Sequence, residues 1–64
     1  AYYNRGLAYY YLKNYSQAIE DLNQAIKLNP NDAEAYYNRG FCYKFLGKTA
    51  EAEADFAKAR ELGY

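Results

Sequence analysis

The segment Ala1-Tyr2-Tyr3-Asn4-Arg5-Gly6 returns letter for letter as Ala35-Tyr36-Tyr37-Asn38-Arg39-Gly40, 34 residues further on. Six consecutive matches at one spacing in so short a chain point to a repeated unit. The likeness continues in the same register through Tyr9/Tyr43, Leu12/Leu46, Ala18/Ala52, Asp21/Asp55, Ala25/Ala59 and Leu28/Leu62. A period of this length marks an architecture in which one supersecondary unit stacks on the next, burying a face that neither could bury alone. Stacked repeats present surfaces for binding more often than pockets for chemistry.

Each copy divides into two helical stretches, so the chain is expected to be all-α, with helices near residues 1–13, 15–29, 32–46 and 49–62. Asn14 with Gln17, and Asn31 with Glu34, have the spacing of capping boxes that would open the second and third helices. Ser16 and Thr49 lie at helix starts, where hydroxyls ordinarily cap. Asn29-Pro30 ends the second helix, because proline cannot continue one. Gly47 is placed to close the third as a left-handed C-terminal residue, and the fourth closes at Gly63. Loops this short make neighbouring helices antiparallel. Gly6 and Gly40 fall inside helices, where glycine costs about 1 kcal/mol relative to alanine. Their recurrence implies a close helix–helix approach, with Ala18, Ala25, Ala52 and Ala59 as the opposing surface.

Composition removes several classes of function. Lys plus Arg is 8 and Asp plus Glu is 8, so the net charge is zero and nothing draws the chain electrostatically to nucleic acid or an anionic membrane. There is no apolar run long enough to span a bilayer. The absence of histidine removes the commonest general base and metal ligand. The acidic residues Glu20, Asp21, Glu51, Glu53 and Asp55 are scattered among lysines, as on a solvated face. No catalytic, metal or cofactor site is expected, and the chain is not expected to be an enzyme. Cys42 is the only cysteine. Its counterpart Ala8 makes it a small buried packing residue and not a reactive thiol.

The residues Tyr2, Gly6, Tyr9, Ala18, Leu22, Ala25 and Pro30, repeated as Tyr36, Gly40, Tyr43, Ala52, Phe56 and Ala59, resemble the tetratricopeptide repeat. The match covers the whole chain, as repeat one over 1–34 and repeat two over 35–64 of a single domain. Two positions depart from the pattern: Arg5 and Arg39 replace the usual leucine, and Tyr64 replaces the closing proline. Pentatricopeptide-type RNA readers are similar in length but usually basic, unlike this neutral chain. The resemblance implies two helical hairpins in a short right-handed solenoid. It also implies a concave wall, built from the first helix of each repeat, that binds a protein or peptide.

By that family geometry the wall would consist of Tyr3, Leu7, Tyr10 and Tyr11, then Tyr37, Phe41, Lys44 and Phe45, with Asn4 and Asn38 at its edge. Tyr3, Tyr10, Tyr37 and Phe41 are expected to face the groove, and Tyr2, Tyr9, Tyr36 and Tyr43 the core. The known carboxylate clamp of the family is not matched, since Tyr3 and Leu7 replace its lysine and asparagine and only Asn38 agrees. Arg5 with Asp21, and Arg39 with Asp55, recur together and are expected to pair within each hairpin, because an arginine at a packed position needs a partner to offset desolvation.

The alternative to a peptide-binding module is a structural element that self-associates, or that stacks within a longer array. The chain opens inside a repeat unit and reads as part of such an array. Ile19 and Ile26, seven apart, should pack on the following repeat. Their counterparts Glu53 and Arg60 should face water and end the array, as terminal repeats require. The tyrosine-rich first helix would then be the unsatisfied face, through which the chain could associate with itself. Nothing in the sequence fixes a compartment or names a partner.

Overall fold

The computed structural model describes residues 2–64; Ala1 lies outside the described residues. Four helices follow in order: α1 Tyr2–Tyr11, α2 Tyr15–Leu28, α3 Ala33–Phe45 and α4 Thr49–Glu61. There is no strand among the described residues. The expected elements are all present, their ends within two residues of the expected ones, and Ala1, expected to open the first helix, lies outside the described residues.

Three helices stop in the same way. Lys13, Gly47 and Gly63 take positive φ angles of 62°, 80° and 100°. At each, two backbone bonds tie the next residues to the last turn, as in Asn14 N–H to the Tyr9 carbonyl at 2.8 Å and Lys48 N–H to the Tyr43 carbonyl at 2.8 Å. Tyr64 N–H repeats the bond to the Ala59 carbonyl at 2.9 Å. This is the Schellman arrangement, which satisfies carbonyls that a helix end leaves free. Glycine supplies the left-handed residue twice; Lys13 supplies it in the first hairpin.

The expected capping boxes are not formed, and the closure at Lys13 explains the first of them. Asn14 is the N-cap of α2, but its side chain makes no cap bond. Its backbone N–H is already committed to Tyr9, so Gln17 has no donor to reach back to. At α3 the cap is Asp32 and not Asn31: its carboxylate accepts from Ala35 N–H at 3.3 Å. Glu34 therefore stands at the second helical position, one short of a capping box. Ser16 and Thr49 lie inside the first turns, with Asn14 and Lys48 in the cap places.

α1 packs on α2, and α3 on α4, as two hairpins; α3 also packs on α2 and touches α1. The core sits at that joint. Ala18, Leu22, Ala35 and Cys42 are buried together, with Tyr3, Tyr9, Tyr10, Tyr15, Ile19 and Ile26 packed around them. Burial pushes the Cys42 thiol up to about 11, so it is a packing residue and holds its proton at neutral pH. The close approach at Gly6 and Gly40 is real, but its main partner is different. A Cβ at Gly6 would lie 3.1 Å from Leu22 Cγ, and one at Gly40 would lie 2.8 Å from Phe56 Cε1. Ala18 and Ala52 contribute their carbonyl oxygens, at 3.4 and 3.2 Å. Neither Ala25 nor Ala59 is among the nearest atoms.

Candidate interaction surface

Arginine–aspartate pairs fix the geometry of each hairpin. Arg5 holds Asp21 through Nε and Nη2, both at 2.8 Å, and Arg39 holds Asp55 at 2.8 and 2.7 Å. Planar guanidinium matches carboxylate in this two-point form. Both aspartates are buried. The Arg5 hydrogen bonds hold Asp21 below the usual carboxylate range. The pairs differ in setting: the Arg5 side chain is 61% exposed, that of Arg39 only 20%. Arg39 also lies over the rings of Tyr36 and Tyr43, at 5.4 and 5.9 Å, where a cation is attracted to the ring face.

The expected wall residues differ in setting. Tyr3, Tyr10, Tyr37 and Phe41, all expected to face the groove, are all half-buried, and Tyr3 and Tyr10 pack on the core. Burial is the first cause of the raised pKa of these last two phenols. Asn38, also half-buried, is occupied: its amide donates to the Tyr3 hydroxyl at 3.1 Å and to the Glu34 carbonyl at 2.9 Å. Leu7 is half-buried. Asn4 is exposed and stands apart, beside Tyr2, Arg5 and Leu28 on the outer side of the first hairpin. Tyr2, expected in the core, is instead 39% exposed: among the described residues no helix precedes α1 to pack on it as α2 packs on α3. Tyr9, Tyr36 and Tyr43 are half-buried.

Two aromatic clusters take up the remaining wall positions. In the first, Tyr10 meets Tyr11 and Tyr15 edge-on at 5.4 and 5.9 Å, and Tyr15 stacks on Phe45 at 5.0 Å. Tyr11 is 75% exposed and Phe45 is 56% exposed. In the second, Tyr37 meets Phe41 edge-on at 4.8 Å and stacks on Tyr64 at 4.3 Å, while Phe41 meets Phe56 at 5.2 Å. Lys44 is exposed, its ammonium 5.9 Å from the Phe41 ring. Tyr15, Phe56 and Tyr64 were not among the expected site residues. Tyr15 begins α2, outside the first-helix rule that selected the others. Tyr64 was legible only as a departure at the proline position.

Glu53 and Arg60 are exposed, and Ile19 and Ile26 are half-buried against the core.

Two tetratricopeptide repeat family models match the chain, one over residues 1–32 and the other over residues 22–54. The second match crosses the joint between the hairpins, from within α2 to within α4. The chain belongs to the tetratricopeptide repeat family, whose repeats generally mediate protein–protein interactions and are generally not enzymes. A comparison with curated proteins returns no match. No helix of the described residues is long and apolar enough to cross a membrane.

Proposed function

We propose that this chain is a protein-interaction module that holds a peptide or partner segment against an aromatic wall running across α1 and α3. The observation that supports this most directly is the pair Tyr11 and Phe45. They stand on different helices, both more than half exposed, and Tyr10 and Tyr15 join them into one patch. Aromatic side chains of this kind give large contact area at low entropy cost and dominate binding energetics at interfaces. Leu7, Tyr37, Phe41 and Lys44 extend the wall, and Asn38 braces it through Tyr3. Asn4 faces elsewhere and is a peripheral member at most.

Peptides selected against the chain from a displayed random library provide the test. Tyr11→Ala and Phe45→Ala should each weaken the selected peptides by about 1 kcal/mol or more, with helicity unchanged by circular dichroism. Selected peptides indifferent to both substitutions would remove the wall as the binding site.

A further inference from the structure

The turns of the two hairpins bring apolar surface and lysine to one end of the molecule. More than half of the large hydrophobic residues that lie exposed among the described residues are here: Tyr11 and Leu12 at the end of α1, Phe45 and Leu46 at the end of α3. Their exposure does not come from a missing neighbour. Tyr11 and Leu12 are each 75% exposed although a hairpin follows them, and Phe45 and Leu46 are 56% and 41% exposed although one precedes them. Stacking on either side leaves this position open. The ring of Tyr15 stacks on Phe45 and meets Tyr10, which makes the two helix ends one surface.

Lys13, Lys44 and Lys48 border this surface, and neither residues 9–15 nor residues 41–49 include an acid. All three lysines are exposed and make no ion pair among the described residues; Glu51, a turn into α4, pairs with none of them. Two of the three stand where local structure disfavours them. Lys13 takes the left-handed φ of 62° that glycine supplies after α3. Lys48 is the N-cap of α4, where the helix dipole repels a cation. The Lys13 N–H bonds to the Tyr10 carbonyl at 2.9 Å and the Lys48 N–H to the Tyr43 carbonyl at 2.8 Å, which fixes both backbones beside the aromatic patch. Locally unfavourable placements of this kind gather at functional sites.

We propose that this end of the wall takes an acidic segment of another protein. An aromatic or aliphatic side chain of the segment packs on Tyr11 and Phe45, and its carboxylates pair with Lys13, Lys44 and Lys48. The proposal rests on the reading of the chain as a peptide-binding module and states the chemistry of the peptide. The buried anchor supplies most of the affinity, while the lysines steer the approach and reject basic competitors. An ammonium on a flexible stem meets carboxylates at varied positions, where a fixed guanidinium fork would demand one geometry. A second copy of this chain is a poorer occupant. Its most acidic helix, α4, exposes Glu51, Glu53 and Glu61 but no large hydrophobic side chain to serve as the anchor.

Peptides selected from a displayed random library on the full chain test the proposal. Two variants of equal net charge, checked for helicity, go through the same selection. One carries Lys13→Gln, Lys44→Gln and Lys48→Gln; the control carries Lys27→Gln, Lys58→Gln and Arg60→Gln. Peptides selected on the unaltered chain should hold Asp and Glu, beside an aromatic or aliphatic residue, at about twice their library frequency or more. That enrichment should persist in the control and disappear in the lysine variant, which should bind the selected peptides about tenfold more weakly at low salt. Peptides without acidic enrichment overturn the proposal, as does an enrichment that survives the lysine variant or is lost equally in the control. Where such peptides still lose affinity in Tyr11→Ala, the wall stands and only its acidic partner falls; peptides indifferent to Tyr11→Ala overturn both. Vesicles of mixed phosphatidylserine and phosphatidylcholine are the second probe. Flotation of the chain with them, lost in the lysine variant, would make an anionic membrane the occupant and overturn the proposal. Self-association in sedimentation that Tyr11→Ala abolishes would seat a second copy there and overturn it as well.

Discussion

Arg39 donates through Nη1 to the Asn23 side-chain oxygen at 2.8 Å, a bond that crosses from the second hairpin to the first. The same guanidinium holds Asp55 through its other nitrogens, so one side chain joins α2, α3 and α4. Arg5, its counterpart, hydrogen-bonds only Asp21 among the described residues, and lies over the Tyr2 ring at 5.6 Å. Removing Arg39 leaves a buried carboxylate without its cation, which costs about 3–5 kcal/mol at a fully buried pair and less where, as here, water retains some access. Arg39→Ala should therefore lower stability in urea by about 2 kcal/mol. Asn23→Ala should cost about 0.5 kcal/mol, one exposed hydrogen bond. Arg5→Ala should be the milder of the two arginine changes, and the reverse order would show that exposure does not govern these pairs.

Asp21 carries the acid sensitivity of the first hairpin. Its pKa is lowered in the fold by the Arg5 hydrogen bonds, so the folded state binds protons less readily than the unfolded state. The pair's contribution is present above the unfolded carboxylate value of about 4 and is lost as pH falls through the folded value. Thermal melts taken downward from about pH 5 should show a falling midpoint. In Asp21→Asn that slope should be shallower, with lower stability at neutral pH. An unchanged slope would locate the acid response elsewhere.

Lys13 occupies the left-handed position that glycine fills at residue 47, and a side chain there is strained by its Cβ. Lys13→Gly keeps both closing bonds and removes the strain, at the cost of a more flexible unfolded chain. A net gain of about 0.5–1 kcal/mol is expected, and Gly47→Lys should lose a similar amount. A destabilised Lys13→Gly, read from the denaturation midpoint, would show that Lys13 makes a stabilising contact of its own.

Gly6 and Gly40 hold equivalent places but should respond differently to alanine. At Gly6 the new methyl meets the Leu22 side chain at 3.1 Å, which a small rotation relieves. At Gly40 it meets the Phe56 ring at 2.8 Å, and that ring is held by Tyr37 and Phe41. Alanine gains about 1 kcal/mol of helix propensity at both, against an overpacking cost of about 1–3 kcal/mol. Gly6→Ala should be close to neutral and Gly40→Ala destabilising by about 1–2 kcal/mol. Equal effects in urea melts would mean that Phe56 repacks freely.

The helices, their order, the glycine closures and the arginine–aspartate pairs were all legible in the sequence, because each depends on residues related by the repeat or close along the chain. Periodicity and turn chemistry act locally, and the 34-residue offset supplied the rest. The capping boxes were misread because the spacing of Asn14 and Gln17 does not reveal that the Asn14 N–H is already bonded to Tyr9.

The sequence by itself determined that two equivalent hairpins form and that their helices approach at Gly6 and Gly40. The tertiary structure alone decided which copies of equivalent residues are covered. Tyr2 and Tyr36 are identical in type and repeat position, yet only Tyr36 lies on a helix packed against both hairpins. Tyr3 and Asn38, on different hairpins, meet because α3 packs on the first hairpin, and the bond between them engages the Tyr3 hydroxyl and the Asn38 amide. Stacking breaks the equivalence: burial depends on neighbours distant along the chain, and the two copies have different neighbours.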